Sequence, residues 1–371
     1  VHIGGTNGKG SVATLVSAAL RAAGFRTGLY TSPHLVSFRE RYLVDGQPIS
    51  EAAVAMWIDQ LRPAIESTGA TFFEAGTVLA FADFAARGAE IAVIEVGLGG
   101  RLDSTNVVQP LVSAVTKIEL DHQRYLGETL DLIAAEKAGI AKPGAPFVVG
   151  EPRPALVRRL TEVATASVHA RDPEAAIDIR VVPPEARWDG PLRLAGSHQR
   201  RNAAVAEAVL LALPPRWRPA EGAIVAGFAE AFIPGRLDRR GPWLFDVAHN
   251  PDGIRALVRS LTDPPVPGPV HALVSILGDK AWPEMLVELD QGIDRGFLTI
   301  APSADTRRWD IEWLHRWLRD PARPLPRAQW HLVPDFQEAM DRARLGAGTV
   351  VVTGSFHTVG DVMLAQGLAP I

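Results

Sequence analysis

The chain has no cysteine among its 371 residues, which excludes disulfides and thiolate metal sites. No uninterrupted apolar run approaches the ~18 residues that a membrane helix needs. Neither sign of charge dominates: the formal net charge is −4, without the basic balance that nucleic acid would demand. No nucleic acid, no membrane and a cytoplasmic setting are therefore expected. Lysine is also scarce. Lys and Arg together number 38, and Lys9, Lys117, Lys137, Lys142 and Lys280 are the five lysines, so the remaining 33 are arginine. Drift in a GC-rich gene would produce this. A position that needs a compact ammonium or a nucleophilic amine would also keep its lysine, because guanidinium cannot replace either. What is present, 47% apolar and 22% charged residues, is ordinary for a globular protein. The length calls for two domains. The chain opens at Val1, already on a strand, which reads as a start that lies downstream of the natural one.

Short β-branched runs alternate with helical stretches. "VHIG" leads into a helix from Ser11 to about Ala23, and "TGLYTS" is a second strand running into the loop "TSPHLVSFRER". Ser50 is placed to cap the helix "EAAVAMWIDQLRPAIE", and "TVLAFADFAARG" is another helix. "IAVIEV", "LVSAVT" and "PFVVG" read as strands buried in a parallel sheet, with "TLDLIAAEKAGI" helical between the last two. From about 168 to 195 the text resembles short antiparallel strands, and "SHQRRNAAVAEAVLLAL" returns to helix. "IPGRLDRRG" marks the domain boundary. "WLFDVA", "VHALVSIL", "GFLTIA", "QWHLV" and "GTVVVTG" are the strands of a second α/β unit. "TDPPVPGP" and "RDPARPLP" read as proline-rich loops. The expectation is α/β: a P-loop-type, mostly parallel ATPase domain over 1–236, then a smaller Rossmann-like α/β domain over 237–371.

The opening "VHIGGTNGKGSVATL" is a strand, a glycine-rich turn with one lysine, and a helix start. It fails the spelling G-x-x-x-x-G-K-[ST]. Ile3 stands where the first glycine belongs, and the hydroxyl arrives one place late, at Ser11. Glycines at a strand-to-helix turn let backbone N–H groups approach phosphate oxygens. Lys9 would reach the terminal phosphates and Ser11 a Mg²⁺ ion. A plain βα turn is the alternative. Glu95 ends a buried strand, and Asp121 and His122 follow another. Ligands of open α/β sheets bind outside the carboxyl ends of the strands, so Glu95, His122 and Ser32 should converge near the phosphate turn. Each alone reads as a loop or capping residue; together, as O and N ligands of a hard cation. Lys137, late in a helix, also reads as a lysine complementing the helix dipole. His198, Gln199 and Asn202 open one helix, and Asp246, His249 and Asn250 follow a strand of the second unit, where ordinary turn chemistry would also place them.

Taken together, "GTNGKGSV", "TSPHL" with "RER", "FFEAGT", "EVGLGGRLDSTN", "LDHQRYLG", "EKAGI", "GSHQRRNAA", "PGR", "DVAHNP" and "VTGSF" resemble the folylpolyglutamate synthase / dihydrofolate synthase family of the Mur ligase superfamily. The resemblance runs in order from Val1 to about Val362. The family spells its phosphate loop G-T-N-G-K-G-S and normally carries a further segment before it. The resemblance implies that Gly5, Thr6, Asn7, Gly8, Lys9, Gly10 and Ser11 cradle ATP. It implies Mg²⁺ on Ser11, Ser32, Glu95 and His122. It further implies a carbamylated Lys137 that helps hold a second Mg²⁺, with room for a monovalent cation. Asn202, Arg236 and Asp246 match nucleotide-contacting positions. His249 matches a position near the phosphate and incoming glutamate, and Ser355 is a candidate for the glutamate side. The catalytic set is then Lys9, Lys137, His122 and His249, with a hinge near Arg236.

The implied reaction is ATP-dependent addition of L-glutamate to dihydropteroate, to the glutamyl tail of reduced folates, or to both, through an acyl phosphate, in a monomer. A folylpolyglutamate synthase alone is the alternative. A peptidoglycan Mur ligase would be expected to carry T-N-G-K-T-T, and a nucleotide sensor would not need a second metal. Departures from the family pattern are Val247 and Glu119, each where glycine is usual, and "SFHTVGDV" in place of "SLYLVGEV".

Overall fold

The computed structural model describes residues 1–322, 327–368 and 370, so the last four residues of "RDPARPLP" lie outside the described part. Among the described residues no helix is long and apolar enough to cross a membrane. The chain divides into two compact units. The first comprises Val1–Arg193 and His198–Phe232, and the second Leu194–Ser197 and the residues from Ile233 onward.

The first unit holds an eight-stranded sheet. Its strands are β1 (His2–Gly4), β2 (Thr27–Tyr30), β3 (Tyr42–Val44), β4 (Gln47–Pro48), β5 (Ile91–Glu95), β6 (Ser113–Val115), β7 (Phe147–Val149) and β8 (Ile179–Val181). The order is β4-β3-β2-β5-β1-β6-β7-β8. β1, β5, β6 and β7 are buried apolar runs, as expected of strands covered on both faces. The β3–β4 hairpin is antiparallel, and lies just after the loop "TSPHLVSFRER", where the sequence reading assigns no element. The expected antiparallel strands near 168–195 are corrected: a single strand forms there, β8, and it pairs parallel to β7. The intervening helix Pro154–His169 carries the chain back across the sheet, which makes the next strand parallel, and Pro183 and Pro184 follow it closely. The first helix starts at Lys9, two residues before the expected Ser11, and the third at Phe72, where Thr71 and Glu74 form a capping box. Ser50 caps Glu51–Thr68 through Ala53 N, as its position suggests.

The second unit holds six strands: β9 (Asp238–Arg240), β10 (Trp243–Phe245), β11 (Val270–Val274), β12 (Arg295–Leu298), β13 (Gln329–Leu332) and β14 (Thr349–Thr353). Their order is β13-β12-β11-β14-β10-β9, all parallel except the edge strand β9. Its core gathers Ile254, Leu257, Leu286, Leu289, Leu298 and Val351.

Candidate functional site

Strand order places the site. β1 lies between β5 and β6, with Ile3 opposite Glu95 and Gly4 opposite Val115. The segments leaving the carboxyl ends of these three strands are therefore neighbours, although they are far apart in sequence.

The loop after β1 is built for close backbone approach. Gly5 has φ +136°, and a Cβ there would lie 1.9 Å from Thr116 Oγ1. Gly8 has φ +94°, and its Cβ would lie 2.6 Å from Asn202 Oδ1. Both positions demand glycine on conformational and steric grounds. Gly8 is also the N-cap of the helix Lys9–Ala22. It supplies no side-chain cap, and the first turn carries no acid. Ser50, Thr71, Thr129, Asn250 and Ser355 cap other helices, while Pro154–His169, Glu221–Glu230 and Trp282–Leu289 also start without a side-chain cap. A bare N-terminus with its dipole intact is a place for an anion. Lys9 Nζ donates to Thr6 O at 3.1 Å, which folds its ammonium over the loop. Ser11 is buried in the first turn.

Glu95 ends β5 with 4% exposure. Its Oε2 accepts from Ser32 N at 3.1 Å and lies 3.6 Å from where a Gly10 Cβ would be. Ser32 and Glu95, two of the three residues expected to converge there, thus meet beside Gly10 at the helix start. His122 lies in the left-handed region at φ +51°, with its Nε2 3.9 Å from Asp121 Oδ2. Among the described residues no three His, Asp or Glu side chains cluster as a metal cage. Mg²⁺ does not require one, since it commonly keeps waters and phosphate oxygens beside one or two carboxylates. Glu95 beside Ser32 and Ser11 fits that donor set.

Lys137 lies in the last turn of the helix Leu130–Ala138 but is only 5% exposed. A lysine serving the helix dipole would project into solvent. Burial, reinforced by the charge of Lys9, lowers its pKa to about 7, against the opposing pull of Asp121 and Asp103. Lys9, Lys137, Asp121 and Asp103 therefore share one electrostatic neighbourhood. The sequence reading missed Asp103. Its carboxylate accepts from Leu98 N at 2.8 Å and Thr105 N at 2.9 Å. Only the fold reveals its nearness to Lys137. Asn202 beside Gly8 donates to Gln199 Oε1 at 2.9 Å, on the helix Ser197–Ala212.

In the second unit Asp246 follows β10. Its carboxylate accepts from Leu237 N and Ala248 N, each at 3.0 Å. Burial raises its pKa, against Arg236, these two hydrogen bonds and His249. Arg236 lies over the Phe356 ring at 5.5 Å, and His249 packs on the same ring with centroids 5.7 Å apart. His249 Nδ1 is 2.9 Å from Val247 O. Ser355 caps the helix Phe356–Ala365 through Thr358 N and also donates to Ser275 O, so its hydroxyl serves the fold.

Known proteins resemble this chain in sequence and fold. The Mur ligase middle domain family matches residues 3–210, and the Mur ligase glutamate ligase domain matches residues 235–356. The dihydrofolate synthase/folylpolyglutamate synthase of Escherichia coli (strain K12) is 35% identical over 378 residues, covering 97% of this chain and 85% of the relative. The solved structure of E. coli FolC in complex with DHPP and ADP superposes with a TM-score of 0.85 at 33% identity, over 99% of this chain and 88% of the other. A bifunctional folylpolyglutamate synthase/dihydrofolate synthase with Mn, AMPPNP and L-glutamate bound superposes with a TM-score of 0.81 at 33% identity, over 99% of this chain and 89% of the other.

Proposed function

Because the chain belongs to the folylpolyglutamate synthase / dihydrofolate synthase family of Mur ligases, we propose that it is an ATP-dependent ligase. It adds L-glutamate to dihydropteroate and to the glutamyl tail of reduced folates. The uncapped helix start carrying Lys9, with the buried Glu95 beside Gly10, is the observation that supports this most directly.

In this reading the γ-phosphoryl group moves to a carboxylate oxygen of the acceptor and ADP leaves. The amine of glutamate then attacks the acyl carbon, loses its proton, and inorganic phosphate departs. The chain's work is positioning and charge neutralisation. The N–H groups of the Gly5–Ser11 loop hold the phosphates, and Lys9 offsets the charge gathering on the transferred group. Mg²⁺, supplied with the nucleotide, would neutralise phosphate oxygens, with Ser11, Ser32, Glu95 and His122 as its protein ligands. Asn202, and in the second unit Arg236 and Asp246, match the family's nucleotide-contacting positions, and His249 its position near the incoming glutamate. Lys137 is proposed to be carbamylated. A buried amine whose pKa is lowered to about 7 has a substantial neutral fraction near neutral pH. Only a neutral amine adds CO₂, and the product is a carboxylate-like ligand.

The test is phosphate release from ATP with L-glutamate, comparing 7,8-dihydropteroate with tetrahydrofolate. Release with both is expected. Release with tetrahydrofolate alone would establish a folylpolyglutamate synthase. Glutamate-independent release, or none from folded protein that binds ATP, would reject the ligase reading in favour of a sensor or another acceptor.

A further inference from the structure

Behind the phosphate loop lies a charged cluster that the reaction above does not use. The loop is sewn to the segment leaving β6. Thr6 N and Asn7 N both donate to Lys117 O, at 2.7 and 3.3 Å. Thr6 Oγ1 donates to Glu119 O at 3.2 Å and accepts from Glu119 N at 3.0 Å. Thr116 Oγ1 donates to Asn7 O at 2.9 Å. The loop is therefore only as well placed as residues 116–119. Those residues lead, three positions on, to His122.

A second set of groups holds the segment from the other side. Glu151, just beyond β7, is fully buried. Its carboxylate accepts from Ile118 N at 2.8 Å and from Arg153 N and Nε at 3.0 and 2.6 Å. The Arg153 guanidinium donates to Ile118 O and pairs with Glu119 Oε1 at 3.5 Å. Glu119 Oε1 also pairs with Lys117 Nζ at 3.0 Å. From Lys117 O to Glu119 O, each backbone polar group is taken up either by the phosphate loop or by the Glu151–Arg153 pair. Arg153 stays partly exposed while Glu151 is fully buried, and a buried carboxylate held in such a pair is a poor device for stability alone; its better use is to fix a geometry.

We propose that Glu119 and Arg153, seated on Glu151, are positioning residues for the nucleotide. Their ion pair fixes residues 117–119, and through Thr6 and Asn7 it fixes the phosphate loop. This rests on the ligase reading of that loop. Neither side chain touches a reacting atom, so the effect falls on nucleotide affinity more than on turnover.

The experiment measures KM for ATP, KM for glutamate, kcat and calorimetric MgADP affinity in wild type, Arg153→Met, Arg153→Lys and Glu119→Gln. Arg153→Met should raise KM for ATP and the Kd for MgADP roughly tenfold, between an exposed ion pair's share and the ~100-fold of a 1 Å misplacement. KM for glutamate should stay within twofold. Arg153→Lys keeps the charge but loses the fork, and should recover part of the loss. Glu119→Gln should move the same constants in the same direction by less, and carries the test if Arg153→Met does not fold. Variants with a lowered melting temperature but wild-type ATP and MgADP constants would overturn the proposal and leave the cluster a purely structural one. Wild-type protein that binds no MgADP would instead bring down the ligase reading, and this inference with it.

Discussion

Lys137 is a cation whose charge burial makes costly. Its pKa of about 7 compares with 10.5 in water, so a substantial share of the amine is neutral near pH 7. Arginine at this site would stay charged, buried and unable to take up CO₂. Lys137→Arg should therefore lower kcat roughly 100-fold or more, the scale of losing one charge-placing group in an active site. The wild type should show a carbamate signal in ¹³C NMR after labelled bicarbonate, absent from the variant. An active Lys137→Arg enzyme would end the carbamate idea. His2 makes a second prediction, about stability. It lies fully buried in β1, with Nε2 2.8 Å from Thr105 Oγ1. Burial lowers its pKa from 6.5 to about 3, with a smaller contribution from Lys142. Between those values the unfolded chain binds the proton and the folded chain does not. His2 therefore costs nothing above 6.5 and destabilises increasingly as pH falls towards 3. The slope is about 1.4 kcal/mol per pH unit, or about 2 kcal/mol by pH 5. Urea unfolding at pH 7 and pH 5 should show a difference smaller by that amount in His2→Gln. Equal differences would mean that His2 titrates as an ordinary histidine.

Loop and helix start act as one element at Gly8. Alanine there must hold φ +94° and place Cβ 2.6 Å from Asn202 Oδ1. The backbone penalty alone is about 1–2 kcal/mol. Gly8→Ala should lower stability by at least that much in urea and raise KM for ATP severalfold, because either the loop or Asn202 must move. Unchanged KM would show that nucleotide does not use this turn. The element was legible in the sequence because everything it needs is local: a strand, glycines, Lys9 and a helix start within eleven residues. Glu95 was legible for a different reason, since apolar strands announce their own ends and a parallel sheet aligns them. Lys137 was only half legible, because its helix could be seen and its burial could not. Asp103 near Lys137, and Thr6 bonded to Glu119, are long-range pairings that no local period encodes. The strands β3, β4 and β9 escaped because "YLV", "QP" and "DRR" belong to no longer apolar run, and β8 was read with the wrong direction.

Each unit of the chain has its own core, and the phosphate loop belongs wholly to the first. The two α/β units were visible in the sequence because each alternates strands with helices. Ligand linkage follows from that division. A nucleotide that binds the folded loop, and not the unfolded chain, adds RT ln(1 + [L]/Kd) to stability, about 2.7 kcal/mol at a hundredfold excess over Kd. MgADP should therefore raise the melting temperature of the transition that reports the first unit by several degrees, by an amount that grows with the logarithm of its concentration. Lys9→Ala removes the ammonium that Thr6 O holds over the loop, while leaving the glycine turn and its backbone N–H groups in place. The variant should keep the nucleotide-free melting temperature within about 1 °C, since a partly exposed side chain off the core contributes little. It should lose most of the MgADP-dependent rise. A rise of undiminished size in Lys9→Ala would assign the phosphate affinity to the helix start alone. A rise absent from the wild type would mean that this loop binds no nucleotide.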